Sequence, residues 1–228
     1  MQPSSCYLSN HAFFCFADKH YVFLDLRSDE YMCLGRAQSE EFKDMLSSGL
    51  DEDSVIVQTL LEKGLFVTDE ADGKYPVPQK VESASTSLLT GAADKPRPAI
   101  GPAHVFRFFA ACGTASWNLR WRSIEQTVRQ VERRKNVKSR NAARSNGADI
   151  IELFAIFQAL RPYYPRPYLC LFDSLALVHF LARFNIYPEW VYGVKLEPWG
   201  AHCWVQSEDL VVNDIVDNVN GYTPIMSI

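Results

Sequence analysis

Five prolines, Pro76, Pro78, Pro96, Pro98 and Pro102, fall in one stretch, EADGKYPVPQKVESASTSLLTGAADKPRPAIGP (70–102), that is otherwise rich in Ser, Ala and Gly. Proline fixes φ and lacks an amide donor, so neither a helical nor a strand period survives such a run, and it reads as a tether. A 228-residue chain cut there leaves about 70 residues before the tether and about 125 after it. Each piece can form a core, the smaller only just. The expected organisation is therefore a unit at 1–72, a Pro/Ser/Ala-rich linker at 73–102 and a second unit at 103–228. No internal repeat is visible. With 47% apolar and 22% charged residues the chain has a globular composition, which excludes wholesale disorder, collagen and coiled coil. No apolar run approaches the ~18 residues of a membrane span.

The formal net charge of −4 hides an asymmetry. Residues 1–75 hold 14 Asp/Glu against 6 Lys/Arg, whereas residues 119–146 hold 9 Lys/Arg against 2 Asp/Glu. A basic stretch of this kind can grip phosphates, but the solvated face of an amphipathic helix explains it equally well, and no nucleic acid partner is expected. The six cysteines form no CxxC pair, and MQPSSCYLSNHAFF lacks a basic region followed by a long apolar run, so a reducing cytoplasm is the expected compartment. The five histidines form no HxxxH or Cys/His cluster, and no metal is expected.

In the first unit, HAFFCFA, YVFLDLR and YMCLG are β-prone runs separated by polar turns at Asp18–Lys19 and Ser28–Asp29, which predicts a three-stranded meander. Phe42, Met45 and Leu46 then recur at helical spacing before Gly49, and Val57, Leu60 and Leu61 before Gly64. Leu65–Val67 returns as a short strand. A meander of this size leaves a strand edge to which an extended peptide can add itself, although Tyr31, Met32, Cys33, Leu34 and Leu60 also read as plain core. The string FLDLRSDEYMCLG resembles the strand-turn-strand of the small winged-helix-like recognition elements that bind leader peptides in ribosomal peptide biosynthesis, a likeness covering roughly residues 8–70. In those elements the leader lies along the third strand and against the last helix. The resemblance implies leader contacts at Tyr31, Met32, Cys33 and Leu34 and at Val57, Leu60 and Leu61.

The second unit opens on an aromatic-rich stretch over 103–122 (Phe106, Phe108, Phe109, Trp117, Trp121), whose rings read as ribs of a core, and Ile124, Val128 and Val131 continue at helical spacing. Asn146 is set to cap a helix carrying Ile150, Leu153, Phe154 and Phe157 on one face. RPYYPRPYLC then puts prolines just ahead of Cys170, which starts the nearly all-apolar helix running to Asn185. At a helix start the unpaired amides and the positive dipole end favour thiolate over thiol. EWVYGVKL, GAHCWVQ and DLVVNDIV read as three strands, the last two a hairpin about Glu208. Partners summing to 416 set His202 opposite Asp214 and Trp204 opposite Val212. A carboxylate so placed holds one imidazole nitrogen and leaves the other for the thiol, giving a Cys-His-Asp set in the order Cys170, His202, Asp214. Strand alternation turns Cys203 away from His202, into the core. His179, nine residues past Cys170, reads as packed or surface.

The run from Cys170 to Asp214 is similar to the core of the transglutaminase-like cysteine proteases known as lasso peptide biosynthesis B proteins: Cys at the helix head, the Gly193–Val194 strand, Pro198, Ala201-His202-x-Trp204-Val205, and Asp214. The resemblance implies an α+β chain in which a small winged-helix-like β-meander with helices is linked to a C-terminal transglutaminase-like (papain-like) protease domain, with Cys170, His202 and Asp214 catalytic. It further implies a bacterial leader peptidase acting on a lasso-peptide precursor, with no cofactor of its own and an ATP-dependent, asparagine-synthetase-like cyclase as partner. An inert peptide chaperone for that cyclase and an acyl transferase using the same triad are the alternatives. Two positions depart from the family, which often has a basic residue where Asp173 stands and a small one where Cys203 stands. An acidic group near the sulfur opposes thiolate formation.

Overall fold

The computed structural model describes residues 6–90, 98–139 and 147–228. The chain divides into two compact units, one of residues 1–80 with 194–200 and 223–226, the other of 81–193 with 201–222 and 227–228.

The first unit contains the meander: β2 (Ala12–Ala17), β3 (His20–Asp25) and β4 (Glu30–Cys33), antiparallel in that order. Asp18, Lys19 and Asp29 make its tight turns at positive φ, a region Asp tolerates through local side-chain hydrogen bonds. The expected helices follow as α1 (Arg36–Ser48), ended by Gly49 at φ 119°, and α2 (Val55–Glu62), capped by Ser54 and followed by Gly64 at φ 70°. Phe42 of α1 is fully buried, its ring meeting those of Phe14, Tyr21, Phe23 and Phe66 at centroid distances of 5.0 to 6.1 Å.

Sequence periodicity did not reveal β1 (Tyr7–Ser9), which pairs with β5 (Phe66–Val67) on one side and β6 (Gly73–Lys74) on the other. Three residues are too few to show alternation. Gly73 has no room for a side chain: a Cβ there would stand 2.4 Å from Cβ of Tyr7 and 2.8 Å from Cγ2 of Val67.

The second unit differs from expectation at its start. Thr86–Ser87, inside the stretch read as tether, form β7, parallel to β10 (Leu210–Val211). With β8 (Glu189–Leu196), β9 (Trp199–Ser207) and β11 (Thr223–Ser227) they make a sheet ordered β11-β8-β9-β10-β7. Two-residue pairing, with prolines on either side, leaves no periodic trace in the sequence.

The helices are α3 (Pro102–Trp121), α4 (Ile124–Ser139), α5 (Gly147–Leu160), α6 (Cys170–Leu181) and the single turn α7 (Val216–Val219). Cap residue Asn146 and basic residues 140–146 lie outside the described residues. α6 is the central helix: every residue from Ser174 to Leu181 is buried, which is why its sequence has no polar face. It meets α3 and α5 through the rings of Phe108, Phe157 and Phe180, at 5.4 to 6.4 Å. The aromatic ribs expected of α3 are largely not core: Phe108 is fully buried, whereas Phe106, Trp117 and Trp121 are 75%, 60% and 65% exposed. A helix one-sidedly packed on α6 buries one stripe only, and these rings lie off it. His179 is buried, accepting from Asn118 Nδ2 at 3.2 Å; burial, with the charges of Arg134 and Arg183, pushes it down to about 3 and keeps it neutral.

Phe42→Ala, which empties the centre of the first unit, is expected to cost about 3–5 kcal/mol, measured as the loss of urea stability followed by a probe in that unit.

Candidate active site

Cys170 opens α6 and is exposed, although the helix behind it is buried. A buried ion pair aims that start. Arg161, 3% exposed, pairs through Nε with Asp173 in the first turn of α6, and its Nη atoms donate to the carbonyls of Tyr164, Arg166 and Pro167 at 3.1 to 3.2 Å. The other Asp173 oxygen accepts from the Leu169 amide at 2.7 Å. One guanidinium thus fixes the whole proline-rich approach to Cys170. The sequence argument that Asp173 opposes thiolate formation is overturned by this pairing. The carboxylate is paired with a buried guanidinium, whose positive charge opposes its own at short range.

His202, in the middle of β9, is half-buried and hydrogen-bonds Oδ2 of Asp214 through Nε2 at 2.5 Å. Asp214 reaches it by a different route from the hairpin opposition expected. Leu210 pairs with Ser207 and Val211 with Gln206, so partners sum to 417 and not 416. The ladder runs one bond further, from the Val212 amide to the Val205 carbonyl at 2.9 Å, and residues 213–214 then bend so that Asp214 meets His202. Asn213, whose Oδ1 accepts from the Val205 amide at 2.7 Å, holds that bend. Asp214 is gripped from both sides: Oδ1 accepts from the Ile215 amide at 2.7 Å, and Nδ2 of Asn218 in α7 donates to both oxygens at 3.0 to 3.1 Å. Burial alone would raise this carboxyl, but the bonds from His202, Ile215 and Asn218 outweigh it and hold it below its ordinary value.

Two rings hold the imidazole. Trp204 stacks on it at 5.9 Å and Tyr222 lies at 5.1 Å. Both come close because residue 193, on the neighbouring strand, is glycine: a Cβ there would meet the Trp204 ring and Cβ of Tyr222 at 2.9 Å.

With Nε2 committed to Asp214, Nδ1 is the ring nitrogen left for the hydrogen bond between His202 and the Cys170 sulfur. Cys203, the residue after His202 on β9, also acts on the sulfur, through its thiol and its backbone amide. These hydrogen bonds, the Cys203 thiol foremost and then His202, outweigh burial and pull Cys170 down to about 4. For His202 burial works downward, yet the bonds to Asp214 and Cys170 and their charges push it up to about 9. Between those values the resting pair is thiolate and imidazolium. Cys203 was read as core facing away from His202; it is buried, but its thiol and amide both serve the nucleophile, and its Sγ lies 3.4 Å from Ser174 Oγ. Strand alternation alone could not reveal this, because it says which face of β9 a side chain takes and nothing of the backbone amide or of a residue thirty-three places earlier in the chain. Asn218 and Tyr222 carried no motif signal either, and Trp204 stood in the family string without a role assigned to it.

The expected leader-contact residues all lie in the first unit and separate into two groups. Leu34, Val57 and Leu60 are 3%, 0% and 0% exposed and belong to the core, which corrects the expectation that they touch a peptide. Their apolar character follows from packing against Phe42 and Phe66. Cys33 is exposed and Tyr31, Met32 and Leu61 are half-buried; Tyr31 also meets the ring of Trp199 edge-on. β4 is the end strand of the meander, so among the described residues no strand pairs with its outer edge.

Among the described residues no group of three or more His, Cys, Asp or Glu could hold a metal ion, and no helix is long and apolar enough to cross a membrane. A family model, the transglutaminase-like superfamily, matches residues 108–227. No curated protein and no solved structure matches the chain.

Replacing Arg161 by Met is expected to cost about 3–5 kcal/mol in thermal or urea unfolding of the second unit, because it strands Asp173 and three carbonyls. Gly193→Ala is expected to leave the protein folded but slow alkylation of Cys170 near neutral pH by about tenfold or more, since displaced Trp204 and Tyr222 release His202.

Proposed function

The chain belongs to the transglutaminase-like superfamily, and we propose that it is a cysteine peptidase that removes the leader from a lasso-peptide precursor, holding that leader on the β4 edge of its first unit. The observation that carries the catalytic half is the hydrogen bond of His202 to Asp214 at 2.5 Å beside Cys170 at the head of α6, with the sulfur pulled down to about 4 and the imidazole pushed up to about 9 by their mutual interaction. Superfamily membership alone is compatible with a cysteine protease or an acyltransferase, and the narrower assignment rests on the likeness of the Cys170–Asp214 segment to lasso peptide biosynthesis B proteins.

In the mechanism this supports, the Cys170 thiolate attacks the scissile carbonyl carbon, and the oxyanion accepts from amides at the start of α6. The C–N bond breaks as Nδ1–H of His202 gives its proton to the leaving nitrogen, freeing the amino end of the core peptide and leaving the leader as a thioester on Cys170. Neutral His202 then takes a proton from water, the hydroxide displaces sulfur, and leader carboxylate and thiolate are restored. Asp214 keeps the ring oriented and stabilises its charged form throughout. The chemistry draws on no cofactor. ATP belongs to the partner cyclase, resembling asparagine synthetase, which consumes the new amine. Docking of the leader on the same chain raises its local concentration at the nucleophile, so the peptidase itself needs little sequence recognition.

Incubating the protein and its Cys170→Ala variant with the precursor encoded beside its gene, with and without cyclase and ATP, tests this by peptide mass. Leader and core whose masses sum to precursor plus water, from the wild type only, are expected; a product joined to an added amine instead identifies an acyl transferase, and cleavage by neither, with leader still bound, identifies a chaperone. The pH profile of kcat/KM is expected to be a bell with limbs near 4 and 9: below the first the nucleophile is protonated, and above the second the imidazole has no proton for the leaving amine.

A further inference from the structure

Residues 81–89 fall in the stretch whose composition reads as a tether and precede the segment matched by the family model, which starts at 108. They are nevertheless bonded to the site. β7 joins the free side of β10, with the amides of Ser85 and Thr86 donating to the Asp209 carbonyl at 2.9 and 3.3 Å and that of Leu88 to Val211 at 3.0 Å. Leu88 is buried, and Val81 and Ala84 pack against Val191, Trp204, Val211 and Val219.

Two of the contacts end on groups that hold the triad. Ser87 Oγ donates to the backbone carbonyl of Asp214 at 2.5 Å. Asp214 lies two residues beyond the last ladder bond, from the Val212 amide to the Val205 carbonyl at 2.9 Å, and Asn213 holds the turn between them by its side chain; the Ser87 hydroxyl adds the bond to the main-chain carbonyl of Asp214 itself. The second contact runs to the aromatic wall. The indole of Trp204, stacked on His202, donates to Gln206 Oε1 at 2.8 Å, and Gln206 Nε2 donates to the Glu82 carbonyl at 2.7 Å. Asn220 Nδ2, just past the α7 turn that carries Asn218, donates to the Ala84 carbonyl at 3.4 Å.

We propose that the segment Val81–Leu89 is a positioning strap of the catalytic site, with Ser87 as the residue through which it holds Asp214 against His202. The proposal rests on the reading of Cys170, His202 and Asp214 as a catalytic triad. It makes the working catalytic unit begin near residue 81, about twenty residues before the end of the expected linker. Among the described residues the other hydrogen bonds to Asp214 are made to its carboxylate, by His202, Ile215 and Asn218; with its carbonyl released, the carboxylate keeps Asn218 but no longer meets Nε2 at a fixed distance.

The test is the titration of the His202 ring by NMR in the full chain, with steady-state cleavage of the precursor measured alongside. Ser87→Thr and Ser87→Val are equal in shape and suited to a strand, and differ in the hydroxyl alone. Ser87→Val is expected to lower the proton affinity of His202 by about tenfold and kcat by about tenfold, with KM unchanged. Ser87→Thr is expected to match the wild type. Ser227→Ala, which removes a 2.8 Å bond to Glu189 at the opposite edge of the sheet, is expected to move neither. An unmoved titration in Ser87→Val, or equal losses in Ser87→Val and Ser87→Thr, overturns the proposal; should Ser87→Val not fold, Ser87→Ala is read in its place against the same criteria. A wild-type His202 titrating at the ordinary imidazole value overturns the triad reading itself, and the strap with it.

Discussion

A thiolate is stable beside a buried helix only if donors converge on it, and this requirement organises the second unit. α6 can lie in the core because nearly all its residues are apolar, but that burial would raise the Cys170 thiol unless hydrogen bonds from Cys203 and His202 opposed it. Those donors sit on one strand, β9, so the start of the helix has to be aimed at one point on the sheet. Arg161 does the aiming from the helix side, through Asp173 and three carbonyls. Asp214, Trp204 and Tyr222 do it from the sheet side. The glycine at 193 is a condition of the second set, since any side chain there occupies the space of both rings.

The departure at Asp173 shows why a single position is a poor guide to charge. Taken alone, an acidic residue three places after the nucleophile works against it. Its partner lies twelve residues earlier, beyond three prolines, and no periodicity links them. The pair exchanges a free charge for a fixed geometry, and a buried pair of this kind is worth more for where it holds the chain than for net stability.

What was legible in the sequence is what repeats or clusters. The meander showed as three β-prone runs between polar turns, α1 and α2 as apolar triplets before glycines, and β8 as a β-prone run, Trp190 to Val194, between two charged residues. Cys170, His202 and Asp214 were legible from residue type and order, and the structure brings them together even though the hairpin register differs by one residue. What was hidden depends on contacts too brief or too distant to leave a period: β1, with three residues; β7, with two; and the Cys203 thiol, which acts on a residue thirty-three places earlier in the chain. The leader-contact residues illustrate a related difficulty. An apolar residue on a small domain serves the core and a docking surface equally well in sequence, and only burial separates Val57 and Leu60 from Cys33.

The central claim is that Cys170 rests as a thiolate paired with protonated His202. The ultraviolet thiolate absorbance of the wild type minus that of Cys170→Ala, followed from acid to alkaline pH, measures this without substrate or partner. The account predicts a difference signal that appears near pH 4 and is already complete at neutral pH, and that appears several pH units later when His202 is also replaced by Ala. A signal that appears only near 9, the ordinary thiol value, in the presence of His202 would contradict it.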